Sequence, residues 1–280
     1  MKKRTWLELL LILILIIASW LGFSYLPVFT GQDTIPVSIE QEEKLGKFMV
    51  DDVLSKNPDF KPLQSEFIDS CIWVIKNRLQ KAVGQTEYDY KIIVTNNPQI
   101  NAAALPGGYI IVFSGLIEFT ENPEELASVL AHEIGHIEKR HIISRLTKEI
   151  GLNVLLSGDK AAIGSIFRMA SSTAFDRRQE KEADIFSLEL MSKAKINPHI
   201  LGTFFSRLES KLHSPNGSME ILSTHPFNNS RIKAAYEFKI SNDFKADTFT
   251  INWQKLKNVI KAEIDRQYDD AETQRNEADK

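Results

Sequence analysis

Apolar positions divide the chain into one long apolar segment near its start and a series of amphipathic elements after it. Residues 9–29 carry no formal charge over twenty-one positions and follow a Lys-Lys-Arg cluster at positions 2–4. About 20 apolar residues are needed to cross a bilayer as a helix. The segment therefore predicts a transmembrane anchor in 1–30, with the basic cluster on the cytoplasmic side. A cleaved signal peptide is the alternative interpretation, with Ala18-Ser19-Trp20 as a weak cleavage site.

The pattern that follows predicts an α+β domain over 31–240 that is mainly helical and contains a small β-sheet. Apolar residues at helical spacing predict helices over 38–54 and 63–83. Runs rich in β-branched and aromatic residues predict two short strands, in 88–97 and 107–117, with residues 100–108 turning the chain between them. From 241 to 280 the chain is strongly charged, which predicts a helix that fades into a solvated tail.

Helix signals mark the second half of this domain. Asn122-Pro123-Glu124-Glu125 places Asn at the N-cap, Pro at the first helical position and Glu three residues after the cap. This helix is predicted to continue to about residue 147. Two further helices are predicted over 176–194 and from Asn197-Pro198 onward. The semi-apolar residues 150–175 are interrupted by Gly158-Asp159-Lys160 and are expected to rest against the membrane or to shield a cleft.

Composition and charge exclude several classes of site and partner. Cys71 is the only cysteine, so the chain has no internal disulfide and no thiolate metal cluster. Any bound metal must therefore rest on histidines and carboxylates. The net charge is −3 and the basic residues are scattered, which argues against a nucleic-acid partner.

The segment LAHEIGHIEKRH lies on the helix predicted to begin after Asn122. Each helical residue advances by about 100°, so His132 and His136 share a face and Glu133 lies on the adjoining one. Two imidazoles at this spacing can hold a zinc ion while the carboxylate reaches a bound water. A chance surface pair is the alternative, but the apolar approach and the slim Gly135 favour a metal. On a continuous helix His141 lies roughly 140° or more from both, so it is expected at the surface or outside the ligand set.

A catalytic zinc site needs a third protein ligand. One family of zinc proteases supplies it six residues after the second histidine, with a glycine halfway, but this chain has Lys139 and Ile142 there. A carboxylate from another helix is the remaining choice, and the segment DRRQEKEADIF offers Glu180, Glu182 and Asp184. Glu180 and Asp184 share a face, whereas Glu182 points away.

Four motifs together resemble the M48 family of zinc metalloproteases. In chain order they are NAAALPGGYIIVFSGLI, His132-Glu133-x-x-His136, Glu180-x-x-x-Asp184 within RRQEKEAD, and STHPFNNSRI. The likeness spans about residues 39–240 and is closest to the single-anchor bacterial envelope type. It implies a zincin-like metalloprotease fold and zinc metalloendopeptidase activity. One departure is Asp176-Arg177, where relatives usually have Ser-Arg, and it is expected to affect a helix cap more than the chemistry.

The resemblance also implies which residues form the metal site. One zinc ion per chain would be held by His132, His136 and Glu180. Glu133 would act as the general base that takes a proton from the attacking water and returns it to the leaving amine.

Three further residues have expected roles around this centre. Asp184 would accept a hydrogen bond from a ligand imidazole, although a salt bridge to Arg177 or Arg178 is the alternative. Arg231 would steady the oxyanion, or it is only a helix surface charge. His225 would donate to the oxyanion or cap the zinc in a resting state, or it is only a loop residue.

Substrate is expected to add as a β-strand along the edge formed by residues 108–113, where main-chain hydrogen bonds bind without demanding a sequence. Pro106 and the Gly107-Gly108 pair would let the backbone lie close to the peptide. The expected substrate-binding residues are Gly108, Tyr109, Ile110, Ile111 and Val112.

These features predict a membrane-anchored zinc endopeptidase that cleaves unfolded or misassembled envelope proteins. Its expected setting is the bacterial inner membrane, with a single span and an extracytoplasmic catalytic domain, while a mitochondrial setting stays open. The alternative is a membrane-anchored binding or chaperone-like module with a structural or latent zinc site. Glu133 argues against that alternative, because it is not a ligand in the predicted set and hydrolysis needs it.

Overall fold

Helices surround one small sheet in the computed structural model, which describes residues 36–56, 60–151, 174–212, 225 and 228–278. The helices are Ile39–Lys56 (α1), Glu66–Val83 (α2), Ser114–Phe119 (α3), Pro123–Glu138 (α4), His141–Ile150 (α5), Arg177–Lys193 (α6), His199–Leu212 (α7), Asn229–Tyr236 (α8) and Trp253–Ala278 (α9). The strands are Lys91–Thr95 (β1), Ala102–Leu105 (β2) and Tyr109–Phe113 (β3). The mainly helical α+β class that the sequence predicts is thus confirmed.

Two sequence predictions fall on residues that the structure does not describe. The anchor or signal peptide in 1–30 lies outside the described residues, and so does most of the semi-apolar stretch, from 152 to 173. Every helix within the described ranges is too short or too polar to be a membrane span. Val37–Lys280 form one compact unit.

The sheet has the order β1-β3-β2, with β1 parallel and β2 antiparallel to β3. The expectation that residues 108–113 form a free edge is therefore wrong, because β3 is hydrogen-bonded on both sides. Its five residues, YIIVF, are all buried, as suits a central strand covered on both faces. Residues 102–105, predicted as part of a turn, form the third strand instead. Gly108, Tyr109, Ile110, Ile111 and Val112 consequently have no open strand edge for a peptide to join.

The glycines at the start of β3 also serve packing rather than peptide approach. Gly107 has φ of 71°, and a Cβ placed on it would lie 2.3 Å from the Cα of Glu43 in α1. From the other side, a Cβ on Gly46 in α1 would lie 1.9 Å from the carbonyl oxygen of Pro106. Both positions must be glycine because α1 and the turn at 106–108 are in backbone contact.

The helix that carries the two histidines is shorter than the sequence predicts. α4 ends at Glu138 and α5 begins at His141, because Arg140 adopts a left-handed conformation with φ of 54°. Such a conformation disfavours residues other than glycine. It is held by the Arg140 side chain, whose Nε donates to Glu42 Oε1 at 2.8 Å and whose Nη2 donates to the carbonyl of Val37. The break turns His141 back toward α4.

The last helix is packed against the domain over its first turns. The indole Nε1 of Trp253 donates to the carbonyl of Thr120 at 3.0 Å, and Leu256 and Ile260 are buried. Tyr268, further along α9, is 65% exposed. The predicted charged tail is therefore helical to Ala278, with only its first half contributing to the core.

Substitution of Gly46 by alanine tests the contact between α1 and the turn. The added methyl group has no space against Pro106, so Gly46→Ala should lower the free energy of unfolding by about 1–3 kcal/mol or more. Lys47→Ala, at the exposed neighbouring position, should change it by less than about 0.5 kcal/mol. Urea unfolding followed by circular dichroism measures both, and equal effects of the two substitutions would contradict the contact.

Candidate metal centre

The helix α4 begins as its sequence predicts, and this fixes the position of its histidines. Asn122 Oδ1 accepts a hydrogen bond from the Glu125 N–H at 2.9 Å, and Pro123 occupies the first turn. The Glu125 side chain accepts from the N–H of Glu121 at 2.8 Å, one residue before the cap. Arg207 of α7 neutralises this buried carboxylate. His132, Glu133 and His136 therefore lie on a firmly capped helix and are all buried.

The second helix of the centre, α6, is capped by the residue that departs from the family pattern. Asp176 Oδ1 accepts from the N–H groups of Arg178 and Gln179, both at 2.9 Å, and the Gln179 side chain accepts from the Asp176 N–H. Glu180 and Asp184, four and eight residues after this cap, face α4 and are buried. A Cβ on Gly135 would lie 3.1 Å from the Cα of Ala183, so this glycine lets the two helices approach closely.

The side chains of both helices converge on one point. His132 Nε2 and His136 Nε2 are 3.1 Å apart. Glu180 contributes Oε1 at 3.4 Å from His136 Nε2 and Oε2 at 3.7 Å from His132 Nε2. His225 joins the group, with Nδ1 3.3 Å from His132 Nε2 and 2.9 Å from Glu180 Oε1. One candidate ligand atom from each of these four residues lies within 4.8 Å of all the others.

These separations fit a tetrahedral metal ion. Ligand atoms held at about 2.0–2.1 Å from a tetrahedral ion are themselves roughly 3.4 Å apart. The contacts among the four residues, from 2.9 to 3.7 Å, scatter around that value. Lone pairs of nitrogen aimed at one another at such distances need a cation or a proton between them. The cluster could therefore bind a metal.

Arg231 neutralises the carboxylates behind the cluster. Its Nε and Nη2 donate to the two oxygens of Asp184, each at 2.7 Å, and its Nη1 lies 2.5 Å from Glu180 Oε2. Asp184 Oδ1 in turn lies 3.1 Å from His132 Nδ1. Asp184 thus contacts Arg231 and a candidate ligand imidazole. Within the described residues, the alternative partners Arg177 and Arg178 form no ion pair with it.

Burial and charge shift the protonation equilibria of the cluster. Burial holds the pKa of His136 well below its usual value, so the ring is neutral and has a lone pair to donate. Burial alone would raise the pKa of Glu180, but His225 and His136 outweigh it and the pKa is lowered. Burial opposes protonation of His225, yet Glu180 and Glu133 raise its pKa. A proton and a metal ion therefore compete for this imidazole.

Glu133 is buried beside the cluster without belonging to it. Its Oε2 accepts from the N–H of Ala104 in β2 at 3.0 Å, and its Oε1 lies 3.5 Å from His225 Nε2. This carboxylate is therefore held between the border strand of the sheet and the candidate ligands. A group in that position can exchange a proton with a molecule bound at the centre.

Seven of the residues that the sequence predicts for the site come together, namely His132, Glu133, His136, Glu180, Asp184, His225 and Arg231. Residues 108–112 do not join them, since they lie in the central strand. Three contacts were missed by sequence reasoning, and one of them is the approach of His141 Nδ1 to His136 Nδ1 at 3.0 Å. The Ala104 N–H carries no side-chain signal at all, and Phe175, whose ring stacks on His136 at 3.8 Å, is marked only by its place before the α6 cap.

This constellation consists of a pair of helix-borne histidines, a carboxylate from a second helix and a further buried glutamate. It is the arrangement typical of a metalloprotease site with the His-Glu-x-x-His motif. A match to Peptidase family M48 covers residues 72–239. The chain belongs to this family, and the resemblance noted from its motifs is confirmed. It is accordingly a hydrolase of the metalloprotease class.

Relatives of this chain include bacterial and mitochondrial proteases. The chain is similar to a beta-barrel assembly-enhancing protease of Yersinia pestis, with 30% identity over 71% of this chain and 44% of the relative. It is similar to the mitochondrial metalloendopeptidase OMA1 of Schizosaccharomyces pombe, with 25% identity over 80% of this chain and 68% of the relative. For OMA1 of Saccharomyces cerevisiae the identity is 34%, over 51% of this chain and 45% of that protein. The chain spans less than half the length of the bacterial relatives it matches.

Removal of the buried guanidinium tests the electrostatic account of the site. Arg231→Met leaves two buried carboxylates without their cation and should lower the free energy of unfolding of the metal-free protein by about 3–5 kcal/mol. Lys233→Met, an exposed position on the same helix, should cost less than about 1 kcal/mol. The measurement is urea unfolding in the presence of a chelator, and a loss in Arg231→Met no larger than in Lys233→Met would refute the account.

Proposed function

We propose that this protein is a zinc-dependent endopeptidase whose metal is held by His132, His136 and Glu180. The observation that carries the proposal is the convergence of these three side chains, at separations suited to a tetrahedral ion, beside the buried Glu133. Neutral imidazoles and an ionised carboxylate form the donor set typical of catalytic zinc. When bound, zinc would act as a Lewis acid and lower the pKa of a water toward neutrality.

Glu133 moves the proton in this proposal. Its Oε1 faces the centre while its Oε2 is fixed by the Ala104 N–H, so the free oxygen can accept a proton from an attacking water. The same oxygen then returns the proton to the leaving amine. Asp184, 3.1 Å from His132 Nδ1, holds that ring so that Nε2 faces the centre.

Arg231 and His225 have separate proposed roles. Arg231 keeps Glu180 and Asp184 ionised through its contacts with both, and the expectation that it also steadies the oxyanion stays a prediction. The ring nitrogen of His225 stands among the candidate ligand atoms, which favours the interpretation that it caps the metal in a resting state. Displacement of this ring would then open the position that a catalytic site keeps for water.

Unfolded polypeptide is the proposed substrate, and β2 is its proposed docking strand. Among the described strands, β2 lies at one border of the sheet, and its Ala104 N–H points to Glu133 rather than to β3. A peptide that pairs with this border would bind through its main chain and pass beside Glu133. A cavity at the same place is lined by Val129, Leu201, Phe204, Phe205 and Leu208 and suits an apolar substrate side chain.

A membrane anchor at the start of the chain completes the proposal. The support is the uncharged run of residues 9–29 after the Lys-Lys-Arg cluster, which favours a single span with the protease domain, 31–240, outside the cytoplasm. Relatives of both bacterial and mitochondrial origin match the chain. The bacterial inner membrane is proposed because the basic cluster leads directly into the apolar run, without the composition of a transit peptide.

Glu133→Gln separates a protease from a binding module with a structural metal. Because the amide cannot accept the proton, casein cleavage should fall by about 100-fold or more, while the zinc content measured by mass spectrometry stays at one per chain. Glu124→Gln, the same change at the start of the same helix, should leave both values unchanged. Cleavage that survives in Glu133→Gln would refute Glu133 as the general base, whereas a zinc-loaded, unaltered chain that does not cleave casein would favour the binding or chaperone-like alternative.

His225→Ala tests the resting-state cap. The substitution removes a candidate fourth ligand but leaves three, so zinc should be retained and casein cleavage should increase several-fold. His199→Ala, outside the cluster, serves as the control and should leave cleavage unchanged. A decrease of cleavage with zinc retained would instead indicate that His225 donates to the oxyanion.

A further inference from the structure

His141 contacts the candidate ligand His136 from the side opposite the metal cluster. The break at Arg140 brings the first residue of α5 back to the end of α4, so that His141 Nδ1 lies 3.0 Å from His136 Nδ1. The other nitrogen, His141 Nε2, lies 3.0 Å from Glu182 Oε2 on α6. His141 is 3% exposed, and its ring therefore has a buried imidazole on one side and a carboxylate on the other.

One arrangement of hydrogens satisfies all of these contacts. If His136 Nε2 gives its lone pair to a metal, His136 Nδ1 must carry the ring hydrogen and can only donate. His141 Nδ1 then accepts, which puts the hydrogen of His141 on Nε2, where Glu182 accepts it. A carboxylate is a suitable last acceptor for this series of hydrogen bonds, because an ionised carboxylate only accepts hydrogen bonds.

We propose that His141 and Glu182 are positioning residues that fix the tautomer and the orientation of His136 and so strengthen its hold on the metal. This inference rests on the proposed function, since it requires His136 as a ligand. His132 has a carboxylate, Asp184, directly against its Nδ1. His136 is connected to the Glu182 carboxylate through the imidazole of His141.

The other contacts of His141 and Glu182 favour this positioning role. His141 cannot replace a ligand, because its ring meets the Nδ1 of His136 and not the Nε2 that faces the cluster. Glu182 is 41% exposed in its side chain. Within the described part of the chain, its one further charged contact is Arg178 Nε at 3.8 Å. Phe175 stacks on the His136 ring and restrains its tilt, whereas only the contact with His141 selects which nitrogen carries the hydrogen.

The test measures zinc affinity rather than activity, in the full chain, by competition with a chromophoric chelator. Partners behind a ligand histidine typically contribute about 10–100-fold in metal affinity. Because Glu182 is half-exposed, the Glu182→Ala variant should fold. It should nevertheless weaken zinc binding by about 10-fold or more. Glu189→Ala, the same change at an exposed position of the same helix, is the matched control and should leave the affinity unchanged. Urea unfolding of the metal-free chains should be alike in both variants.

Two variants of His141 test the acceptor directly. His141→Phe keeps a ring in the buried space but offers no acceptor to His136, and it should lose zinc affinity by at least as much as Glu182→Ala. His141→Asn places an amide oxygen near the former Nδ1 and should recover part of that loss. The proposal is overturned if Glu182→Ala binds zinc as tightly as the unaltered chain. It is also overturned if His141→Asn binds zinc no more tightly than His141→Phe.

His136→Ala distinguishes failure of this inference from failure of the proposed function. If His136→Ala keeps the affinity of the unaltered chain, His136 is not a ligand and the proposed metal site is wrong. If His136→Ala loses zinc while Glu182→Ala and His141→Phe do not, the metal site stands and the positioning role alone is overturned.

Discussion

The whole centre depends on how closely two helices approach each other. α4 carries His132, Glu133 and His136, α6 carries Glu180 and Asp184, and the helices touch where Gly135 faces the backbone of Ala183. A side chain on Gly135 would force the helices apart by tenths of an ångström. That distance is comparable with the tolerance of a coordination bond, about 0.2 Å. Helix packing and metal geometry are therefore set by the same contact.

Close approach also creates an electrostatic problem, because it removes several titratable groups from water. Buried charges are tolerated only when they are paired and hydrogen-bonded. Arg231 meets this condition for Asp184 and Glu180, and His225 lies against the other oxygen of Glu180. Arg207 does the same for Glu125 at the beginning of α4. The buried carboxylates Glu125, Glu180 and Asp184 are thus each paired with an arginine.

The sequence predicts the parts of this structure that depend on local chemistry. Asn122 and Asp176 mark the starts of α4 and α6 through their side-chain oxygens, and helical spacing alone puts His132 beside His136. It does not predict the end of α4, because Arg140 is no helix breaker by itself and is held in its left-handed conformation by Glu42, 98 positions away. For that reason His141 was expected away from both histidines, although it is buried against His136.

The order of the strands in the sheet is likewise not predicted by the local sequence. Residues 102–105 are alanines and a leucine with weak strand propensity, and they form β2 because β3 offers a partner. The apolar run YIIVF indicates a strand covered on both faces, but whether β3 is paired on one edge or on both is decided by which segments return to it. The place of His225 beside Glu180 is equally a matter of long-range folding, since motif order alone does not set a distance.

Sequence separation within the centre has a consequence for biosynthesis. His132 and His225 are 93 positions apart, and Glu180 and His225 are 45 apart, so closing the site requires large loops to form first. A chain leaving the ribosome presents α4 well before Arg231 and the helix anchored by Trp253 exist. Until those segments dock, Glu180 and Asp184 lack the cation that Arg231 supplies. The charge compensation of the metal centre is thus completed late in folding, when α8 brings Arg231 against Glu180 and Asp184.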